Sequence, residues 1–169
     1  MRSALLVMSV ISVGCAGVTA APERAYRVAT AAARPAVGGG EGGSTTYVVQ
    51  LEGGVEYGLD ASETAGVVRL RIAIRNAGRE LVRYDPARVI LAAADGVTLR
   101  PVAGEEAYHR DGVRTVAPGQ RIAIARRYSF MYGFRRERDL LLLARLLLED
   151  VIQVGEREAQ VKLRLEEVR

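Results

Sequence analysis

The chain has one histidine, His109, in the stretch Tyr108-His109-Arg110-Asp111-Gly112. Imidazole is a common general base and metal ligand because it titrates near neutrality. A single imidazole supplies neither a pair of ligands nor a base with an orienting partner, and the polar residues around it read as a solvated loop between strands. Cys15 is the only cysteine, so neither an internal disulfide nor a Cys/His zinc set can form. No Asp-x-Asp-x-Asp-Gly calcium loop occurs. Ser44, Ser62 and Ser129 all lie outside a Gly-x-Ser-x-Gly nucleophile elbow. Glu105-Glu106 and Glu149-Asp150 are carboxylate pairs of adjacent residues. Neighbours on a strand point to opposite faces, so neither pair makes the facing carboxylates of a glycosidase, and each reads as surface charge. These residues point away from an enzyme and give no reason to expect a metal or other cofactor.

The densest basic cluster is Arg135-Arg136-Glu137-Arg138, with Arg126-Arg127 nearby in sequence. It reads either as a solvated connection, salt-bridged through Glu137 and Asp139, or as a contact surface. In the second reading Arg135, Arg136 and Arg138 meet anionic lipid head groups or an acidic partner. The net charge is +4, and Lys162 is the only lysine. The arginines are spread along the chain, and together with abundant Ala, Gly and Val they fit the codon bias of a GC-rich genome better than nucleic-acid binding. Tryptophan is absent and aromatics are 5% of residues, which removes the usual interface anchors and sugar-stacking platforms.

The N-terminus carries the firmest signal. Arg2 is followed by an apolar run from Ala4 to Val13, about half the length of a bilayer-spanning helix. Residues 1–14 therefore read as a signal peptide of an exported protein. Two processing sites compete. Val13-Gly14-Cys15 resembles the end of a bacterial lipobox, with Ser12 where leucine is usual. Cleavage there would make Cys15 the lipid acceptor and the new N-terminus. Val18-Thr19-Ala20 is a small-x-Ala site for ordinary signal peptidase, and cleavage there would release a soluble periplasmic or secreted protein. The position of the sole cysteine, directly after the apolar run, favours the lipid anchor.

Residues 15–44 are dominated by Ala, Gly, Pro, Thr and Val, and include Gly38-Gly39-Gly40-Glu41-Gly42-Gly43-Ser44. This composition reads as a flexible tether. From Thr45 onward the hydrophobic period is 2, so residues 45–169 are expected to form the folded domain. Tyr47 to Leu51 and Val55 to Leu59 open it. Val68, Leu70, Ile72 and Ile74 then share one face, against Arg69, Arg71 and Arg75 on the other. Asp95-Gly96 predicts a hairpin between Val89–Ala93 and Val97–Val102. Pro118-Gly119 launches Gln120 to Tyr132, where Ile122, Ile124, Tyr128 and Phe130 share a face that Arg126 interrupts. Val161, Leu163 and Leu165 form the last alternating run. Residues 140–152 fit a helical stripe and a strand face equally well. Residue propensity favours helix, whereas the turn residues at Gln153 to Arg157 favour a strand over Arg145 to Val154. A short helical turn is expected over Arg136 to Leu141.

Seven or eight short strands without a clear long helix predict an all-β fold, a β-sandwich. The strand ending Ile74-Arg75-Asn76, the Tyr84-Asp85-Pro86 that leads into a strand, the Asp95-Gly96 hairpin and Ala117-Pro118-Gly119 before a long strand ending in Phe130 lie in a suggestive order. Over Val67 to Val168 the chain thus resembles immunoglobulin-like, telokin-like bacterial lipoprotein domains. The resemblance implies a fold and an extracytoplasmic setting, and no shared activity. The sequence-based expectation is a non-catalytic, lipid-anchored protein of the cell envelope. It would meet the membrane through Cys15, and its envelope protein or polymer partner is unspecified. The less favoured readings are a soluble exported protein and an envelope enzyme using the His109 loop.

Overall fold

The computed structural model describes residues 23–30, 33–36, 45–102, 112–129 and 141–168. Period-2 alternation becomes strand throughout. The described strands, in chain order, are β1 (Arg24–Val28), β2 (Ala33–Pro35), β3 (Tyr47–Leu51), β4 (Val55–Thr64), β5 (Val67–Asn76), β6 (Val82–Tyr84), β7 (Ile90–Ala93), β8 (Arg100–Pro101), β9 (Arg114–Val116), β10 (Arg121–Ser129), β11 (Arg145–Val154) and β12 (Arg157–Glu167). All the pairings among them are antiparallel. They form one curled sheet in the order β8-β10-β5-β4-β1-β12-β11-β6-β9, with β3 and β2 attached to β4 and β7 attached to β11.

Local chemistry sets the tight hairpins. Ala65 and Gly66, both at positive φ, turn β4 into β5. This is the backbone of a two-residue turn whose twist matches the flanking strands. At the expected Asp95-Gly96 hairpin, the Asp95 side chain accepts the Val97 amide at 3.1 Å, and Gly96 sits at φ 88°. The predicted strand after that turn is shorter than expected. Thr98 still bridges to Ala92, but β8 has already crossed to pair with β10.

Strand β5 has the expected polarity. Val68, Leu70, Ile72 and Ile74 are buried, while Arg69, Arg71 and Arg75 are exposed. The ambiguous segment is a strand over Arg145–Val154, as the flanking turn residues required. Its alternate residues Leu146, Leu148 and Ile152 pack in the same core as β5. Of the helical turn expected at 136–141, only Leu141 is a described residue, and it is helical.

The stretch read as a tether differs from expectation. Arg24–Val28 is a strand within the sheet, and Ala33–Pro35 pairs with β3. In β1, Tyr26 and Val28 point into the core and Arg27 points out. Composition averaged over the long Ala/Gly-rich stretch hides this five-residue alternation. Arg24 and Ala25 pair with β4, whereas Tyr26, Arg27 and Val28 pair with β12. β1 is therefore the seam between the half of the sheet containing β4, β5 and β10 and the half containing β11 and β12. Among the described residues the sheet begins at Arg24, ahead of Thr45.

Candidate functional site

The most distinctive chemistry among the described residues lies inside the core. Asp150 on β11 is 1% exposed and Arg126 on β10 is 6% exposed. This overturns the reading of Asp150 as surface charge, and parity explains why. Asp150 is on the same face of β11 as Leu146, Leu148 and Ile152, and Arg126 is on the same face of β10 as Tyr128. Glu149, one residue away, faces out and meets Lys162 at 3.6 Å.

Three buried tyrosines surround the two charges. Tyr57 on β4 donates its hydroxyl to Asp150 Oδ2 at 3.0 Å, and the Val151 amide donates to Asp150 Oδ1 at 2.8 Å. The Tyr84 hydroxyl interacts with the same carboxylate electrostatically without reaching hydrogen-bond geometry. Burial pushes the Asp150 carboxyl up to about 6, while Tyr84, Tyr57, the Val151 amide and the Arg126 charge pull it back. The desolvation of the carboxylate outweighs these favourable contacts. Burial also raises the hydroxyls of Tyr57, Tyr84 and Tyr128 above the ordinary tyrosine range, with Asp150 adding to the effect in each case.

The topology explains what this cluster does. On one side of β11, the neighbour is β7 over Leu146–Glu149 and β6 over Ile152–Val154. The connection between those two strands, residues 85–89, leaves Asp150 and Val151 without a ladder partner on that side. A buried backbone group needs a partner. The Val151 amide finds it in the Asp150 carboxylate, and Arg126 Nη1 donates to the Pro86 carbonyl. The Tyr128 hydroxyl donates to the Val89 carbonyl over a longer 3.4 Å. The connection itself is set by Asp85, whose side chain accepts the Ala87 amide at 2.9 Å and caps a 3-10 turn over Pro86–Arg88. The buried cluster is thus a bracket that ties β4 and β10 of one half to β11 and the 85–89 connection of the other.

The surface holds shallow grooves. One of about 380 Å³ runs along β12 where β1 departs, beside Thr30, Leu147, Lys162 and Arg164. Another of about 450 Å³ lies over Gly58 and Ala73, flanked by Glu56, Arg75 and Arg121. No group of three or more His, Cys, Asp or Glu side chains suited to a metal occurs among the described residues. Cys15, His109, Arg135, Arg136 and Arg138 all lie outside the described residues. The sequence did carry a signal for the bracket: Arg126 interrupts an apolar face at core parity, and Asp150 fills the missing place in the Leu146, Leu148, Ile152 series. No helix among the described residues is long and apolar enough to cross a membrane. Compared with known proteins, the chain matches no family model, and no curated protein is significantly similar to it.

Proposed function

We propose that the chain is an exported, lipid-anchored protein of the cell envelope, and that its curled sheet is an immunoglobulin-like sandwich serving as a non-catalytic binding or structural module. The observation that carries this reading is Gly14-Cys15 directly after the apolar run Ala4 to Val13. Two structural facts support it. The charged pair with the most altered surroundings, Asp150 and Arg126, is closed inside the core and engaged with backbone groups. The outer faces of β5, β10 and β12 carry exposed charged side chains.

The position of β1 sharpens the proposal. With Cys15 as the lipidated terminus, eight residues, 16–23, separate it from the first described strand at Arg24. A fully extended chain of that length reaches about 30 Å. The sheet is then held close to the bilayer. The soluble alternative, cleavage after Ala20, also leaves β1 intact and differs only in the anchor.

Labelling with radioactive fatty acid distinguishes the two. Wild-type protein should be labelled and recovered with membranes, and Cys15→Ser should be neither. Equal labelling of both, or a mature N-terminus at Ala21, overturns the anchored reading. Charge reversal at Arg135, Arg136 and Arg138 together is expected to weaken partner capture in crosslinked envelopes, and His109→Ala is expected to leave it intact.

A further inference from the structure

The outer face of β8, β10 and β5 collects arginines. Register places Arg121 beside Arg75, Arg127 beside Arg69, and Ala125 beside Arg71. Arg100 on β8 pairs with Ser129 and so shares that face. All six arginines are exposed, and the three strands contain no acidic residue. Among the described residues, the nearest acids on the face belong to β4: Glu56 meets Arg75 at 3.2 Å, and Asp60 meets Arg71 at 3.9 Å. Arg71 and Arg75 are thus paired and Arg127 is engaged as well, which leaves Arg69, Arg100 and Arg121 as the arginines of this face that meet no carboxylate of a described residue.

The opposite half of the sheet is different. There Glu149, Glu158 and Glu166 are interleaved with Arg83, Arg145, Lys162 and Arg164 on the outer face, and Glu149–Lys162 and Arg88–Glu158 are ion pairs. Among the described residues, β8, β10 and β5 carry arginines with no acid interleaved, whereas β11 and β12 carry both signs.

We infer that the β8-β10-β5 face is an electrostatic docking surface for a bilayer rich in anionic phospholipid. The setting in the cell rests on the lipid-anchored reading above, whereas the binding chemistry does not. Guanidinium groups bond phosphate oxygens bidentately. Their spacing here, roughly 5 Å across strands and 7 Å along them, spreads them over a surface roughly 20 Å long. Neighbouring charges lie within one Debye length, so they act on a charged plane together. Small residues, Ala73, Ala123 and Ala125, occupy the positions between them. None of the exposed large apolar side chains of the described residues lies on these strands, so the face adsorbs to head groups without inserting. The face also offers no aromatic ring on which a nucleic-acid base could stack. A tether of at most about 30 Å would bring such a face within reach of the lipid surface.

Vesicle co-sedimentation of the full chain carrying Cys15→Ser tests the inference without an acyl chain. Affinity is measured on vesicles with 30 mol% phosphatidylglycerol (roughly the anionic fraction of a charged leaflet) and on phosphatidylcholine alone. The quantity read is the ratio between the two, which cancels any contribution of the N-terminal apolar run. The ratio should exceed about 100-fold at low salt and collapse at high salt. Arg69→Gln, Arg100→Gln and Arg121→Gln together break no ion pair with a described residue and should lower anionic binding on the order of 100-fold. Each single change should cost about fivefold, and the singles carry the test if the triple variant melts early. The same three changes to lysine should retain most of the binding. Arg83→Gln, Arg145→Gln and Arg164→Gln remove equal charge from the opposite half and should leave the ratio within about threefold. A ratio near one, equal losses in both triple variants, or tighter face-dependent binding to duplex DNA than to vesicles overturns the inference. None of these outcomes alters the fatty-acid labelling result, so the two proposals fail separately.

Discussion

Asp150 is held in its ionised form at a cost. Its folded-state carboxyl titrates at about 6 because burial outweighs Tyr57, Tyr84, the Val151 amide and Arg126, whereas an unfolded aspartate titrates near 3.9. Between those values the folded state binds more protons than the unfolded state. The Asp150 contribution to stability is therefore fully present below about pH 4 and is lost as pH rises through about 6. The shift of about two units corresponds to roughly 3 kcal/mol. Asp150→Asn removes the charge and keeps the shape. Relative to wild type, its unfolding free energy should improve by about 2–3 kcal/mol on going from pH 4 to pH 7. Urea titrations of both proteins at the two pH values measure this, and a difference that does not change with pH would refute the assignment. Asp150→Ala acts in the opposite direction. It leaves the Tyr57 hydroxyl and the Val151 amide buried without an acceptor, and should destabilise by roughly 2–5 kcal/mol.

At the scale of single elements, β5 and β1 make contrasting cases. In β5, Ile72→Ala should cost about 2–5 kcal/mol through lost transfer energy and the cavity left behind. Arg69→Ser at an exposed site should cost under about 1 kcal/mol. Denaturant midpoints that reversed this order would mean the strand is inside out. Strand β1 matters through its place in the topology. A chain starting at Thr45 loses the pairing to both β4 and β12, the burial of Tyr26 and Val28, and the Tyr26 hydroxyl bond to the Leu143 carbonyl at 2.8 Å. It also loses the Arg24 contacts to Glu63 and Glu167. That chain should lose its cooperative melt, whereas one starting at Ala21 should keep it. Equal melting of the two would show that β1 is dispensable. The two strands were not equally legible in sequence. Val68, Leu70, Ile72 and Ile74 repeat long enough to stand out from their neighbours, and strand β11 was legible through its turn. Tyr26 and Val28 are only two inward residues among alanines, and their partners lie near residue 60 and residue 165. Nothing local marks such a distant pairing. Asp150 and Arg126 were legible by parity alone, but a charge in sequence reads as solvated unless the gap that it bridges is known, and that gap exists only once β6 and β7 share β11.

At the scale of the whole molecule, four tyrosines report on closure of the core. Tyr26, Tyr57, Tyr84 and Tyr128 are each at most 3% exposed, and they sit on β1, β4, β6 and β10, so both halves of the sheet and the seam are represented. Burial raises all four hydroxyls above 10, with Tyr128 at about 12 and the others higher. The sign here works against the fold at high pH. An unfolded tyrosine ionises near 10, so the unfolded chain releases protons that the folded chain keeps. Stability from these groups is constant below pH 10 and falls as pH rises above it. Four such groups remove up to about 5 kcal/mol per pH unit, or roughly 10 kcal/mol by pH 12. That is comparable to the entire stability of a domain this size, about 5–15 kcal/mol. Unfolding should therefore occur between about pH 11 and 12, and the phenolate absorbance of these four tyrosines should appear together with the loss of β-type circular dichroism in a single steep transition. Because the Tyr57–Asp150 and Arg126–Pro86 bonds tie one half to the other, neither half should ionise first. Two separated steps, or full phenolate absorbance while the circular dichroism is still native, would mean that the halves of the curled sheet open independently.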